Sequence, residues 1–418
     1  MVFLLPPFST PQALLCGHEN GQWKVPGPGS PGEDNHGDGQ MIRDLTTDPP
    51  IYRMAFRIGG GNGGVYVERE DTGPGAAFDW TGVTLLGGNQ SPIQSIGTAD
   101  PTNEGNIDTF SLAVNPYTGV VTIVNGVKPG NIPEIYSGYW SGVQRRTSNA
   151  PHKGGAFLGN PDNWNSFGAE FVAEVVGEYD PEWTGPTWHE PRLDGPLLFS
   201  GGLGEPTIFY EPFLDKMIVT YEAKSSGPSQ WNKTDKNRIG MRQSVMTDFD
   251  TAPTWIDVPI LANDSAIFDP ETLAEYIPSP SEVNGPWGTK PGITQRCGIA
   301  VNPIDGVWWM AFIGQIAAMQ AGVANASTGI GLAYSENQGA TWALHPDNPI
   351  FDKEILGWGE NPEVNWVNSP YLIFEPDRSR CLLGFWGNPI GEQNKKGTRF
   401  WLAQSSFPTD YRFHGRSY

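Results

Sequence analysis

The sequence predicts an all-β chain, a five-bladed β-propeller with long inter-strand loops and little helix. Three observations predict it. One strand–turn–strand pattern recurs along the 418 residues, a further strand follows most copies, and helix signals are scarce. Self-similarity at a long period is a stronger fold signal than local propensity.

Four segments carry the pattern in full: an apolar strand, Asn-Pro or Glu-Pro, a few turn residues, and a second apolar strand. They are LAVNPYTGVVTIVNG (112–126), IFYEPFLDKMIVTYEA (208–223), IAVNPIDGVWWMAFIG (299–314) and LIFEPDRSRCLLGFWG (372–387). The dipeptide alone means little, since Asn-Pro also occurs at Asn160, Asn348 and Asn361. The apolar runs on both sides make the match, and each copy reads as a hairpin in which Pro presets φ in the turn. A third strand follows at 238–244, 329–335 and 399–405, and 139–146 fills that slot after the copy at 112–126. Segments 48–60 and 63–70 read as a fifth, degenerate copy, with Met54-Ala55-Phe56 echoing Met310-Ala311-Phe312. Units of roughly 60–90 residues with three or four strands fit propeller blades. Short helices are expected only at 269–277, after the Asp269-Pro270-Glu271 cap, and at 315–326. The expected organisation is an N-terminal extended or loop segment over 1–38 and a single-domain propeller over 39–418, with a loop insertion at about 147–204.

Composition agrees and narrows function. The chain has 53 Gly and 38 Pro, below the ~25–30% that marks low-complexity disorder. Its 16 Trp, 13 Tyr and 20 Phe need a core to bury them. With 26 basic against 46 acidic residues the net charge is −20. Such a field repels phosphate backbones and anionic bilayers, so neither nucleic acid nor membrane is an expected partner. Neutral carbohydrate suits an acidic surface rich in aromatics. No run of 18 apolar residues spans a bilayer. The apolar start lacks Lys or Arg before Lys24 and is broken by Pro6-Pro7, so it is a poor secretion signal. Three cysteines, Cys16, Cys297 and Cys381, make neither a disulfide framework nor a zinc site, and the last two read as buried free thiols.

Several motifs have a bland reading that wins. Gly59-x-Gly61-x-x-Gly64 matches a dinucleotide fingerprint on paper, but the strand VYVERE follows it where a helix is required. Glu33-Asp34-Asn35-His36-Gly37-Asp38-Gly39 resembles a calcium loop without the twelfth-position Glu, so a solvated acidic loop is expected. No cofactor is expected, and a structural calcium is the one metal left open. No metalloprotease, Walker or nucleophile-elbow motif occurs.

Propeller chemistry sits where the innermost strands begin. Counting six or seven residues back from each repeat turn gives Asp108, Glu205, Gln295 or Arg296, and Asn368 or Ser369. Two of these are carboxylates, and glycoside hydrolysis needs one carboxyl group that keeps its proton and another that stays ionised. In the long insertion, Trp183, Trp188 and His189 stand with Tyr179 as a sugar-stacking platform or as a plug over an irregular connection.

These residues resemble those of five-bladed hydrolases of the arabinanase, xylosidase and invertase type. That family carries Asp, Asp and Glu in chain order as base or nucleophile, modulator and acid. Asp48-Pro49 resembles its first motif, Asp108 falls at the second, and Glu205-Pro206 resembles the acid. The repeat register conflicts at one point, because it sets Asp48-Pro49 in the blade-one hairpin turn; another blade-one residue is the alternative base. Ser335-Glu-Asn337-Gln-Gly339-Ala-Thr341-Trp342 resembles the Asp box of sialidases, a structural turn whose Trp packs between blades, with Asn337 in place of Asp; Ser244 to Trp255 is a stretched relative. A sialidase-like site would require an arginine cluster, for which Arg53 and Arg296 are candidates.

Two function classes follow. One is a glycoside hydrolase-like enzyme acting on extracellular oligo- or polysaccharide, with Glu205, Asp108 and Asp48 catalytic and Arg296, Gln295, Asn368, Trp183, Trp188 and His189 binding substrate. The other is a non-catalytic glycan-binding or attachment protein, such as a phage tail component assembled with other virion proteins. An extracellular or virion-associated location without a recognisable leader fits both, with the cytoplasm as the alternative.

Overall fold

A computed structural model describes residues 4–19, 22–24, 37–57, 63–80, 93–94, 103–129, 142–151, 158, 163–174, 197–198, 203–224, 237–257, 295–315, 328–352, 355–356, 366–388 and 399–406. Strands β1 (Gln12–Glu19) and β2 (Gln22–Lys24) precede five sheets. Blade one is β3 (Gly37–Asp44), β4 (Ile51–Arg57), β5 (Gly63–Glu70) and β6 (Ile93–Gln94). Blade two is β7 (Asn103–Val114), β8 (Val121–Pro129), β9 (Gly142–Ser148), β10 (Trp164–Glu174) and β11 (Leu197–Leu198). Blade three is β12 (Leu203–Glu211), β13 (Lys216–Lys224), β14 (Asn237–Val245) and β15 (Ile256–Asp257). Blade four is β16 (Gln295–Val301), β17 (Trp308–Gln315), β18 (Thr328–Ser335) and β19 (Ala343–Leu344). Blade five is β20 (Trp366–Glu375), β21 (Arg380–Asn388) and β22 (Arg399–Ser406), extended by β1 and β2.

The molecule is a five-bladed β-propeller. The first strands of successive blades pack on one another around the ring, β3 on β7, β7 on β12, β12 on β16, β16 on β20, and β20 back on β3. Strand β1 pairs with β22, so part of the segment expected to precede the propeller closes its last blade. The stretch expected as a loop insertion supplies β10 and β11 to blade two. Residue 315, expected to open a helix, ends β17; the rest of that segment and 269–277 lie outside the described residues.

The core follows from strand periodicity. Successive side chains face opposite sides of a sheet, so every strand serves two interfaces. On β4, Tyr52, Met54 and Phe56 pack against Tyr371, Leu382 and Trp386 of blade five, whereas Ala55 joins Phe110 and Leu112 of blade two. On β17, Trp308, Met310 and Phe312 meet Phe209 and Ile218 of blade three, whereas Trp309 and Ala311 meet Leu372 and Phe385 of blade five. The seam between blades two and three completes the set with Val124, Val143, Ile208 and Tyr221. Each fully buried aliphatic or aromatic side chain contributes about 1.5–3 kcal/mol. The stability therefore resides between blades. Cys297 and Cys381 are buried free thiols, as expected.

The seam between blades five and one adds charge. Arg43 grips Asp377 with two hydrogen bonds of 2.6 and 2.8 Å and donates to Asp71 at 2.8 Å. Arg378 bonds the other oxygen of Asp71 and donates to the Tyr52 hydroxyl at 2.7 Å. Tyr52 in turn donates to Glu375, which also accepts from Arg380 at 2.5 Å. Burial raises the Asp71 carboxyl, but its bonds to Arg378 and Arg43 outweigh that and hold it below the ordinary range.

Candidate active site

Each first strand ends on, or one residue before, a buried polar residue: Asp44, Asn115, Glu211, Asn302 and Glu375. Four of them cap their own turn. Asp44 Oδ1 accepts from the Thr46 amide at 2.8 Å, Asn115 Oδ1 from Tyr117 at 3.0 Å and Asn302 Oδ1 from Ile304 at 3.1 Å, while Glu211 accepts from Leu214. These residues fix the repeat register. In blade one the equivalent residue is Asp44, not Asp48. The blade-one turn lacks a Pro after its capping residue, and the Asp48-Pro49 dipeptide four residues later imitates the signal.

The same register holds at the other end of the first strands. Each carries a β-bulge six or five residues before its capping residue. Asp38 and Gly39 stand opposite Phe56, Glu205 and Pro206 opposite Tyr221, Arg296 and Cys297 opposite Phe312, and Ser369 and Pro370 opposite Phe385. In blade two the bulge follows Asp108, which pairs with Gly126. Bulges are where strands re-aim side chains beside active sites. The carboxylate residues Asp38 and Glu205 thus occupy matching positions, six residues before their caps, and Asp108 stands one residue further back, seven before Asn115, so all three lie at the same end of three consecutive inner strands.

Blade-one packing fixes this position. Gly39 has no room for a side chain, since a Cβ there would meet the Ala55 carbonyl and Phe56. Its own carbonyl accepts the Trp386 indole N–H at 3.0 Å from blade five.

The sequence-derived candidates separate accordingly. Glu205, Asp108, Gln295, Arg296 and Asn368 all lie at or beside the bulges. Asp48 does not: it is exposed in the β3–β4 turn, at the opposite end of the inner strand. Arg53 is also elsewhere, fully buried and bonded to Asp44 at 2.8 Å through Nε and to Glu68 at 3.2 Å. Trp183, Trp188 and His189 lie outside the described residues, as does the acidic stretch 33–36 of the calcium-like loop; its remainder, 37–39, is in β3. Among the described residues no group of three or more His, Cys, Asp or Glu could hold a metal ion. None of their helices is long and apolar enough to cross a membrane.

Asp38 is not among the sequence-derived candidates. Its signal was available: it stands six residues before Asp44, as Glu205 stands six before Glu211.

The turn at 335–342 bonds internally. Asn337 Oδ1 accepts from the Thr341 amide at 2.8 Å, Ser335 Oγ from the Gly339 amide at 2.8 Å, and the Trp342 indole donates to the Gly339 carbonyl at 3.0 Å. Trp342 is half-buried against the seam between blades three and four rather than fully enclosed.

No known family profile matches this chain, and no curated protein matches it in sequence. Solved structures do match in shape. A thermostable family-43 glycoside hydrolase aligns with a TM-score of 0.52 at 11% identity, covering 93% of this chain and 96% of its own. An α-L-arabinofuranosidase from Lactobacillus brevis aligns at 0.50 and 10% identity, covering 92% and 95%. An N-acetylgalactosamine deacetylase from F. plautii, in complex with blood group B trisaccharide, aligns at 0.50 and 11% identity, covering 96% and 95%. Over nearly its whole length, the chain has the five-bladed propeller fold found in family-43 glycoside hydrolases.

Proposed function

We propose that the protein is a glycan-active propeller of the glycoside hydrolase type, acting on extracellular oligo- or polysaccharide. One observation carries this reading: Asp38 and Glu205 lie in the bulges of the inner strands of blades one and three, and Asp108 lies immediately before the bulge of the inner strand between them. Fold likeness alone carries no activity.

In the reading, Glu205 is the general acid. It protonates the leaving oxygen as the glycosidic bond breaks and positive charge builds on the sugar ring. Asp38, on the inner strand of blade one, deprotonates the attacking water or attacks the anomeric carbon itself. Asp108, between them along the ring, stays ionised and favours the protonated form of Glu205 by like-charge repulsion. Arg296, Gln295 and Asn368 are the polar groups from the remaining blades that hold the sugar hydroxyls, and the net charge of −20 favours a neutral substrate. A place on a virion surface is consistent with this role.

The test is hydrolysis by the purified full chain and its Glu205→Gln variant. Substrates are arabino-, xylo- and galacto-oligosaccharides and the matching 4-nitrophenyl glycosides. Loss of the acid should cut turnover ~10²-fold or more on unactivated oligosaccharides. The loss should be smaller on nitrophenyl glycosides, whose leaving group needs little protonation. A wild type that binds an oligosaccharide but hydrolyses none, with Glu205→Gln binding equally well, would make it a glycan-binding or attachment protein instead.

A further inference from the structure

Between the bulges and the capping turns lies a second layer, four residues before each cap: Gln40, Ser111, Thr207, Gly298 and Tyr371. Two of its members are joined across blades. The Ser111 hydroxyl donates to Gln40 Oε1 of blade one and accepts the Ile208 amide of blade three at 2.8 Å. All three residues are buried. One hydroxyl therefore uses both its donor and its acceptor capacity to tie three inner strands together. These are the strands of Asp38, Asp108 and Glu205. Gln40 is two residues past Asp38, Ser111 three past Asp108, and Ile208 three past Glu205.

The neighbouring seams in this layer are built differently. From blade three to blade four, the Thr207 hydroxyl meets Thr220 at 2.5 Å, and Thr220 meets Cys297 Sγ at 3.4 Å. From blade four to blade five there is direct backbone contact, since a Cβ on Gly298 would sit 2.5 Å from the Pro370 carbonyl. A single hydroxyl bonded across two seams, to the blade before and to the blade after its own, thus coincides with the three blades that carry the carboxylates.

We infer that Ser111 is a positioning residue that sets the spacing of the three carboxylate-bearing strands through Gln40 and the Ile208 amide. The inference rests on the proposed hydrolase reading. Ser111 touches no reacting atom. Its effect is on geometry, to which turnover is steeply sensitive: a displacement of about 1 Å costs about 10²-fold in rate. A residue that only held the blades together would change stability and leave the chemistry of the surviving folded molecules intact.

The experiment compares the full-length wild type with Ser111→Ala, Ser111→Thr and Gln40→Leu, using the oligosaccharides above. It reads kcat, KM and the pH dependence of kcat/KM well below each variant's thermal midpoint. Ser111→Ala should lower kcat ~10- to 100-fold with KM within about threefold, and should move the basic limb of the pH profile as Glu205 changes its distance from the other carboxylates. Ser111→Thr should restore most of the activity, because it keeps the hydroxyl and Thr207 already occupies the equivalent place in blade three. Gln40→Leu leaves the Ser111–Ile208 bond in place; it should reproduce part of the loss and supplies the test if Ser111→Ala does not fold. An active wild type whose variants lose thermal midpoint but keep kcat and pH profile overturns the positioning role and leaves the hydrolase reading standing. A wild type inactive on every substrate overturns the hydrolase reading and this inference with it.

Discussion

Replacing Gly298 with alanine tests how closely the inner strands pack. A Cβ at this position would lie 2.5 Å from the Pro370 carbonyl oxygen, 2.7 Å from Tyr371 Cα and 2.8 Å from Tyr371 Cβ. Two of the three atoms are backbone, so no rotamer change relieves the clash and β20 must move away from β16. Overpacking of this kind costs ~1–3 kcal/mol, and rigid neighbours place it at the upper end. At ~2.1 cal/mol/K per residue, unfolding of a chain this long carries an entropy of about 0.9 kcal/mol/K, so ~3 kcal/mol lowers the midpoint by about 3–4 °C. Gly75→Ala is the control, because nothing lies within 4 Å of its Cβ and its φ is −80°. It should leave the midpoint unchanged or raise it by up to about 1 °C through reduced unfolded-state entropy. Differential scanning calorimetry on both variants decides the matter. Equal midpoints for the two would mean that β16 and β20 do not approach as described.

Three further outcomes follow from the seams and turns. Glu375→Ala removes the acceptor of the Tyr52 hydroxyl and the carboxylate partner of the Arg380 guanidinium, and should cost ~3–5 kcal/mol in urea unfolding, whereas Asp79→Ala, which removes an exposed partner of Arg69, should cost under ~1 kcal/mol. Asn337→Ala removes the acceptor of the Thr341 amide and should cost ~1 kcal/mol, with Asn337→Asp recovering most of it in the same assay. Acidification should weaken the fold in two stages. Burial lowers the His345 pKa, so its contribution is complete above ~6.5 and is lost as pH falls from there through the folded value. Asp71 is held below the ordinary carboxylate range, so its share persists above ~4 and is lost as pH falls through its own folded pKa. Stability curves of His345→Gln and Asp71→Asn should each lack one stage.

The fold was legible because its repeat is local. Four blades write their inner hairpin as an apolar run, Asn-Pro or Glu-Pro, and another apolar run, and the positions fall on β7–β8, β12–β13, β16–β17 and β20–β21. Blade one uses Asp44-Leu45 at the same point, and the Pro that marks the turn elsewhere is absent. The nearest matching dipeptide, Asp48-Pro49, pulled the register four residues downstream and hid Asp38. The capping bond that Asp44 accepts from the Thr46 amide reveals the true position, and it is a matter of geometry rather than of residue type. Ring closure was illegible for another reason. The stretch QALLCGHE reads as a broken leader, and its pairing partner RFWLAQSS lies almost the whole chain away. The bulges and the Ser111 relay likewise depend on which strands become neighbours.

The central claim is that the inner-strand starts of blades one to three form the site, with Asp38 as its blade-one carboxylate. Product release from unactivated oligosaccharides by Asp38→Asn and Asp48→Asn, measured beside the wild type, tests it most directly. Asp38→Asn should lose ~10²-fold or more in kcat with its folding intact, and Asp48→Asn should match the wild type. Full activity in Asp38→Asn, or a comparable loss in Asp48→Asn, would contradict the register on which the site is built.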